Sequence, residues 1–173
     1  MLIELLVIAV ATWTIVFGLQ WGFRKMTSPS RIANIEIPPL SGVVKHFPRL
    51  VSDEQILAFI DSWVSLLEQE NYQAAYARTA HRADMDWSPE LIRQTIKSYG
   101  QRLSSQKVTL DGRTADVPQR KSVRHLRKPA SKIVGNIWYD LNIDGVVSDL
   151  TATFYLQEVD DGLVVVLDNI HVM

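Results

Sequence analysis

One short stretch, His81-Arg82-Ala83-Asp84-Met85-Asp86-Trp87, gathers the residue types of general acid–base chemistry. An imidazole titrates near neutral pH, and a neighbouring carboxylate orients the ring and raises its basicity. His81 with Asp84 or Asp86 would be the proton-handling pair, and Tyr76 and Tyr72 would add hydroxyl donors. The same residues also serve as a solvated loop in which Asp86 or Ser88 caps a following helix. That plainer reading weighs more, because no second histidine is matched to His81 on the same element. Metal chemistry has less support still. His46, His81, His125 and His171 are isolated, with no His-x-x-x-His or His-Glu-x-x-His spacing. There is no cysteine, no glycine-rich phosphate loop and no Gly-x-Ser-x-Gly elbow. No metal site and no cofactor are expected.

Charge offers a second kind of chemistry. The formal net charge is -1, which exerts no global pull on nucleic acid or membrane. It is a sum of opposites. Residues 113–132 hold seven Lys or Arg against one acid, whereas residues 133–173 hold seven acids and no Lys or Arg. Arg120, Lys121, Arg124, Arg127 and Lys128 would form a basic face for anionic lipid headgroups, worth about 1 kcal/mol per charge close to the surface, or for an acidic partner protein. The structural reading is that these cations face acids on neighbouring strands. Nucleic acid is not expected, since no aromatic residues interleave with the basic run.

The third candidate is Glu4, the one ionisable side chain in residues 1–23. At about 1.5 Å per residue this stretch reaches roughly 33 Å, enough to cross a bilayer core of about 30 Å. Trp21 and Phe23 sit where an interfacial aromatic belt occurs, and Arg24 and Lys25 close the segment. Residues 1–23 are therefore expected to be a transmembrane anchor rather than a signal peptide, as no basic region precedes the apolar run. An intramembrane carboxylate is a functional candidate by default. Leu2-Ile3-Glu4-Leu5-Leu6-Val7 resembles the start of mature type IV pilins and pseudopilins, where such a glutamate pairs with a neighbouring subunit's terminal amine. A pilin helix would run past residue 30, however, and Thr27-Ser28-Pro29-Ser30 stops this one. Arg24, Lys25 and Arg31 lean towards a cytoplasmic domain, on evidence from one side only.

Residues 24–51 carry Pro29, Pro38, Pro39 and Pro48 and are expected to be a linker, with Ile35, Ile37 and Leu40 available to pack as an edge segment. The domain is expected over 52–173. Ser52 and Gln55 spell a capping box, Val51 and Ile56 a hydrophobic staple. Ile56, Ile60, Trp63, Val64 and Leu67 then recur at helical spacing. Asn71 caps a second helix and Ser88-Pro89-Glu90 starts a third, stopped by Gly100. Beyond it the period becomes two. Lys107 to Leu110, a turn at Asp111-Gly112 and Arg113 to Val117 predict a hairpin. Residues 121–128 read as strand or loop. Ser131 to Ile143, Val146 to Val159 and Leu163 to Val172 predict long strands joined by turns at Asp144-Gly145 and Asp160-Asp161-Gly162. Trp138 falls on the face opposite Ile137 and Tyr139.

Three helices before an antiparallel meander make an α+β fold, helices packed on a curved sheet. Leu66-Leu67-Glu68-Gln69-Glu70 followed by Asn71-Tyr72-Gln73-Ala74-Ala75-Tyr76 resembles the junction of the first two helices in NTF2-like domains, the α+β cone. The resemblance covers 52–173 and rests on element order and this one junction. It implies a pocket between sheet and helices, with the His81 loop near its mouth, and dimerisation through the sheet. Some members of that superfamily are lyases or isomerases; many others bind ligands or partners without catalysis, so fold alone supplies no mechanism. The expectation is a single-pass protein of the bacterial inner membrane, its domain on an unassigned side. Its role would be a non-enzymatic binding or assembly module, within a membrane complex or as a homodimer. The alternatives are a small-molecule lyase or isomerase and a pilin-like or secretion-assembly subunit. Membrane-anchored NTF2-like domains of bacterial secretion and transport assemblies are similar in layout and usually periplasmic, against the lean of the charges.

Overall fold

Each helix starts on a cap carried by its own sequence. Ser52 Oγ accepts the Gln55 N–H at 3.3 Å and Gln55 Oε1 accepts the Ser52 N–H at 3.2 Å, opening α1 (Asp53–Glu68). Asn71 Oδ1 accepts the Ala74 N–H at 3.1 Å at the start of α2 (Tyr72–Arg78). Ser88 Oγ accepts the Leu91 N–H at 3.1 Å, with Pro89 at the first position of α3 (Pro89–Lys97). A 3-10 turn follows, in which Gly100 adopts a φ of 63° that favours glycine. These positions come from a computed structural model, which describes residues 44–82, 84–101, 105–113, 118–127, 129 and 131–173. The anchor expected over 1–23, Glu4, most of the linker and Lys128 lie outside the described residues. No helix among the described residues is long and apolar enough to cross a membrane.

Six strands form one sheet: β1 (Ala80–His81), β2 (Val108–Thr109), β3 (Lys121–His125), β4 (Ile133–Ile143), β5 (Val146–Val159) and β6 (Gly162–Val172). The order is β1-β6-β5-β4-β2, with β3 also on β4. β1 runs parallel to β6 and every other pairing is antiparallel. The sheet is strongly curled into a half-barrel under the helices, an α+β fold. Its inner face carries Ile137, Tyr139 and Leu141 of β4 beside Ala152, Phe154 and Leu156 of β5, all buried as the period of two requires. They meet Ile56, Ile60, Trp63, Val64 and Leu67 of α1. Trp63 stands edge-on to Phe154, ring centroids 5.2 Å apart, and donates its indole N–H to the Ala75 carbonyl at 3.1 Å, which ties α1 to α2. Each fully buried Ile, Leu or Phe here contributes about 1.5–3 kcal/mol.

Tertiary structure adds two pairings that the sequence pattern does not show. Val108–Thr109 pairs with Ile143 and Asn142 of β4, and Val108 is 1% exposed. Arg113 bridges to Val146 in parallel; residues 114–117, the rest of the hairpin partner expected for Val108–Thr109, lie outside the described residues. The second pairing concerns Val44–Val51, expected as linker. Phe47 exchanges two 2.8 Å backbone hydrogen bonds with Leu163 on the edge of β6, and its ring packs edge-on against Phe59. Residues 121–125, left open between strand and loop, are the strand β3.

On the outer face the register sets side chains in rows. Arg124, Asn136 and Tyr155 align in one row, Ser122, Trp138, Thr153 and Asn169 in the next. Further along, Val164 and Val166 form a small buried cluster with Ala80 and Val44, so part of this face is covered by the segment preceding α1.

Candidate functional site

His81 lies on β1, held against β6 by its pairing with Leu167. It is 5% exposed. Tyr76, in the last turn of α2, stacks on the imidazole with centroids 4.0 Å apart and planes 9° from parallel. The Nε2 atom lies 3.4 Å from Thr79 Oγ1, while Nδ1 is buried without a hydrogen-bond partner. Burial lowers the His81 pKa from 6.5 to about 4, so the ring is neutral at pH 7. Tyr72 is buried as well, and desolvation raises its pKa.

The carboxylates expected beside His81 are used elsewhere. Asp84 is bonded to the Arg82 guanidinium, which holds its carboxyl below the usual carboxylate range. Asp86 is exposed. Arg82 reaches on to Asp168 Oδ1 at 2.8 Å, and Thr153 Oγ1 donates to Asp168 Oδ2 at 3.2 Å. Trp87 closes the cluster by donating its indole N–H to the Asp168 carbonyl at 3.1 Å. Arg82, Asp84 and Asp168 thus form a network that pins the loop to β6, and no hydrogen bond joins His81 to Asp84 or Asp86 among the described residues. Strand alternation explains it. His81 and Arg82 are adjacent and point to opposite sides of an extended chain, so the acids that meet Arg82 do not meet His81. An imidazole with a depressed pKa is a weak base, and no carboxylate hydrogen-bonds this one among the described residues.

Asp168 was not singled out in the sequence. The register shifts between Thr153↔Asn169 and Phe154↔Leu167, which leaves Asp168 as the extra residue of a β-bulge. The signal in the sequence is the break from the apolar run Leu163–Leu167 to Asp168-Asn169, which does not say which way the carboxylate turns.

The five-residue basic face also divides. Arg120 Nη2 donates to Asp140 Oδ1 at 3.0 Å and to Thr151 Oγ1 at 3.2 Å. Lys121 donates to Asp61 at 3.0 Å and lies over the Tyr139 ring, 4.6 Å from its centroid. Along β3, Lys121, Val123 and His125 turn towards α1, where His125 meets Asp53 at 2.7 Å. Ser122 and Arg124 turn outward. Arg124 and Arg127 are exposed and make no ion pair among the described residues. A compositional run is not a face once the strand alternates.

Cavities open at two places that bear on these residues. One, of about 560 Å³, is lined by Arg120, Asp140, Asp149, Thr151 and Met173 with their neighbours. The other, of about 350 Å³, lies between Lys45–Pro48 and α1 and α2. His81, Asp84 and Asp86 line neither. Among the described residues no three His, Asp or Glu side chains gather as metal ligands. No family model, curated protein or solved structure matches this chain.

Proposed function

We propose that this chain is a membrane-held, non-enzymatic binding or assembly module built on an NTF2-like domain. The observation that carries the reading is the separation of His81 from Asp84 and Asp86. The residues best suited to proton transfer hold the domain together instead: Arg82, Asp84 and Asp168 as a strut, His81 and Tyr76 as a packed pair. Recognition surface remains available. Trp138 is half-buried on the outer face of the sheet, one cross-strand diagonal from exposed Arg124. Tryptophan and arginine side by side are the residue types that dominate interface energetics. That face docks a second copy of the chain, and residues 1–23 hold the assembly in the bilayer.

The test uses the full chain. It is expected to stay in the membrane pellet through an alkaline carbonate wash and to run as a dimer in mild detergent by light scattering. Trp138→Asp is expected to give a monomer with unchanged far-ultraviolet circular dichroism. Extraction by carbonate, or a dimer indifferent to Trp138→Asp, overturns the reading.

A further inference from the structure

The smaller cavity is built from the segment before α1, one stripe of α1 and the end of α2. Gln55, Ala58, Phe59 and Ser62 recur at helical spacing and line one side of the cleft. Ala58 and Ser62 are small, which leaves the space open. Its volume, about 350 Å³, is at the small end of ordinary ligand pockets.

The polar groups there are donors. Arg78 lies 5.1 Å from the Phe59 ring centroid and gives one N–H to Ser62 Oγ at 2.6 Å. Ser62 passes its own proton to the Phe59 carbonyl at 2.6 Å. Arg78 Nε is buried without an acceptor. Lys45 Nζ sits 4.9 Å from the Phe47 centroid. Gln55 spends its oxygen on the capping box, so its amide N–H groups remain to donate. Nearby basic residues contrast with these: His46 meets Asp161 at 2.8 Å and Arg49 meets Glu158 at 3.1 Å. Lys45 and Arg78 make no ion pair among the described residues, and no carboxylate lines the cleft. The two cations rest on Phe47 and Phe59, rings that touch edge-to-face with centroids 5.3 Å apart. The wall is therefore cationic on top and aromatic beneath.

We propose that this cleft binds a small organic anion, its carboxylate or phosphate taken by Lys45 and Arg78 and its apolar body lying against Phe47 and Phe59. Unneutralised cations with spare donors select an anion. The aromatic wall and the missing side-chain bulk at Ala58 select one with an apolar body. This binding stands whether or not the outer sheet face docks a second chain.

Calorimetry on the full chain in zwitterionic nanodiscs tests it, with phenylphosphate and phenylacetate as probes and inorganic phosphate and benzyl alcohol as comparators. At least one organic anion is expected to bind, and both comparators about tenfold or more weaker. Lys45→Gln and Arg78→Gln are each expected to weaken binding about tenfold, while Arg93→Gln, exposed on α3 away from the cleft, leaves it unchanged. Ala58→Phe fills the cleft and is expected to abolish binding. Lys45 is exposed, so its variant keeps the test open should Arg78→Gln fail to fold. Nanodiscs containing phosphatidic acid then separate the sources: loss of phenylphosphate binding marks a lipid headgroup as the anion, and retention marks a soluble one. No binding of either organic anion, equal binding of inorganic phosphate, or binding that survives Ala58→Phe overturns the proposal.

Discussion

The Tyr139 hydroxyl donates to Asp61 Oδ1 at 2.6 Å, and Lys121 donates to the same oxygen at 3.0 Å. One carboxylate of α1 thereby fastens β4 and β3 to the helix layer. Burial first, then the Asp61 hydrogen bond and charge, raise the Tyr139 pKa well above its usual 10. The folded protein keeps a proton that the unfolded chain releases, so this stabilisation is full below pH 10 and declines as pH rises beyond it. Tyr139→Phe is expected to cost about 1 kcal/mol at pH 7 and to flatten the alkaline decline, read from urea midpoints between pH 7 and 11.

His81 gives the opposite sign. Its pKa falls from 6.5 to about 4 because burial disfavours the imidazolium. Between those values the unfolded chain binds the proton and the folded chain does not, so stability is lost as pH falls from 6.5 towards 4. His81→Phe preserves the stack on Tyr76 and removes the titration. Its urea midpoint is expected to vary less than wild type across that window; an identical dependence would show that His81 titrates normally.

Gly162 makes a steric demand at the start of β6. Its φ is 154°, and a Cβ placed there would collide with the Phe47 carbonyl oxygen. Gly162→Ala is expected to break the Phe47–Leu163 pair and to destabilise by about 1–3 kcal/mol. Faster amide exchange at residues 47 and 163 than elsewhere in β6 would locate the damage.

Arg124 and Arg127 of the basic run are exposed and make no ion pair among the described residues. Arg124→Glu with Arg127→Glu is expected to weaken binding to anionic vesicles by about tenfold or more, at roughly 1 kcal/mol per charge lost, with little change in stability. Arg120→Gln is expected to lower stability with little effect on vesicle binding, because it removes the guanidinium that donates to both Asp140 and Thr151. Flotation at matched ionic strength reads the first effect and urea midpoints the second.

Local patterns in the sequence determined the helix starts, the inward residues of β4 and β5 and the turns between the long strands. Caps at Ser52, Asn71 and Ser88 act within three residues, and strand alternation needs only the next neighbour, so both are written in the chain. Partner choice is not local. That Val108 would join Ile143, that Phe47 would close on Leu163, and that Arg82 would reach Asp168 depended on contacts across long stretches of chain. The bulge at Asp168 and the alternation of β3 decided which charges face inward. Sequence named the residue types able to do chemistry; the tertiary fold decided which of them meet, because only packing sets the direction in which each side chain points.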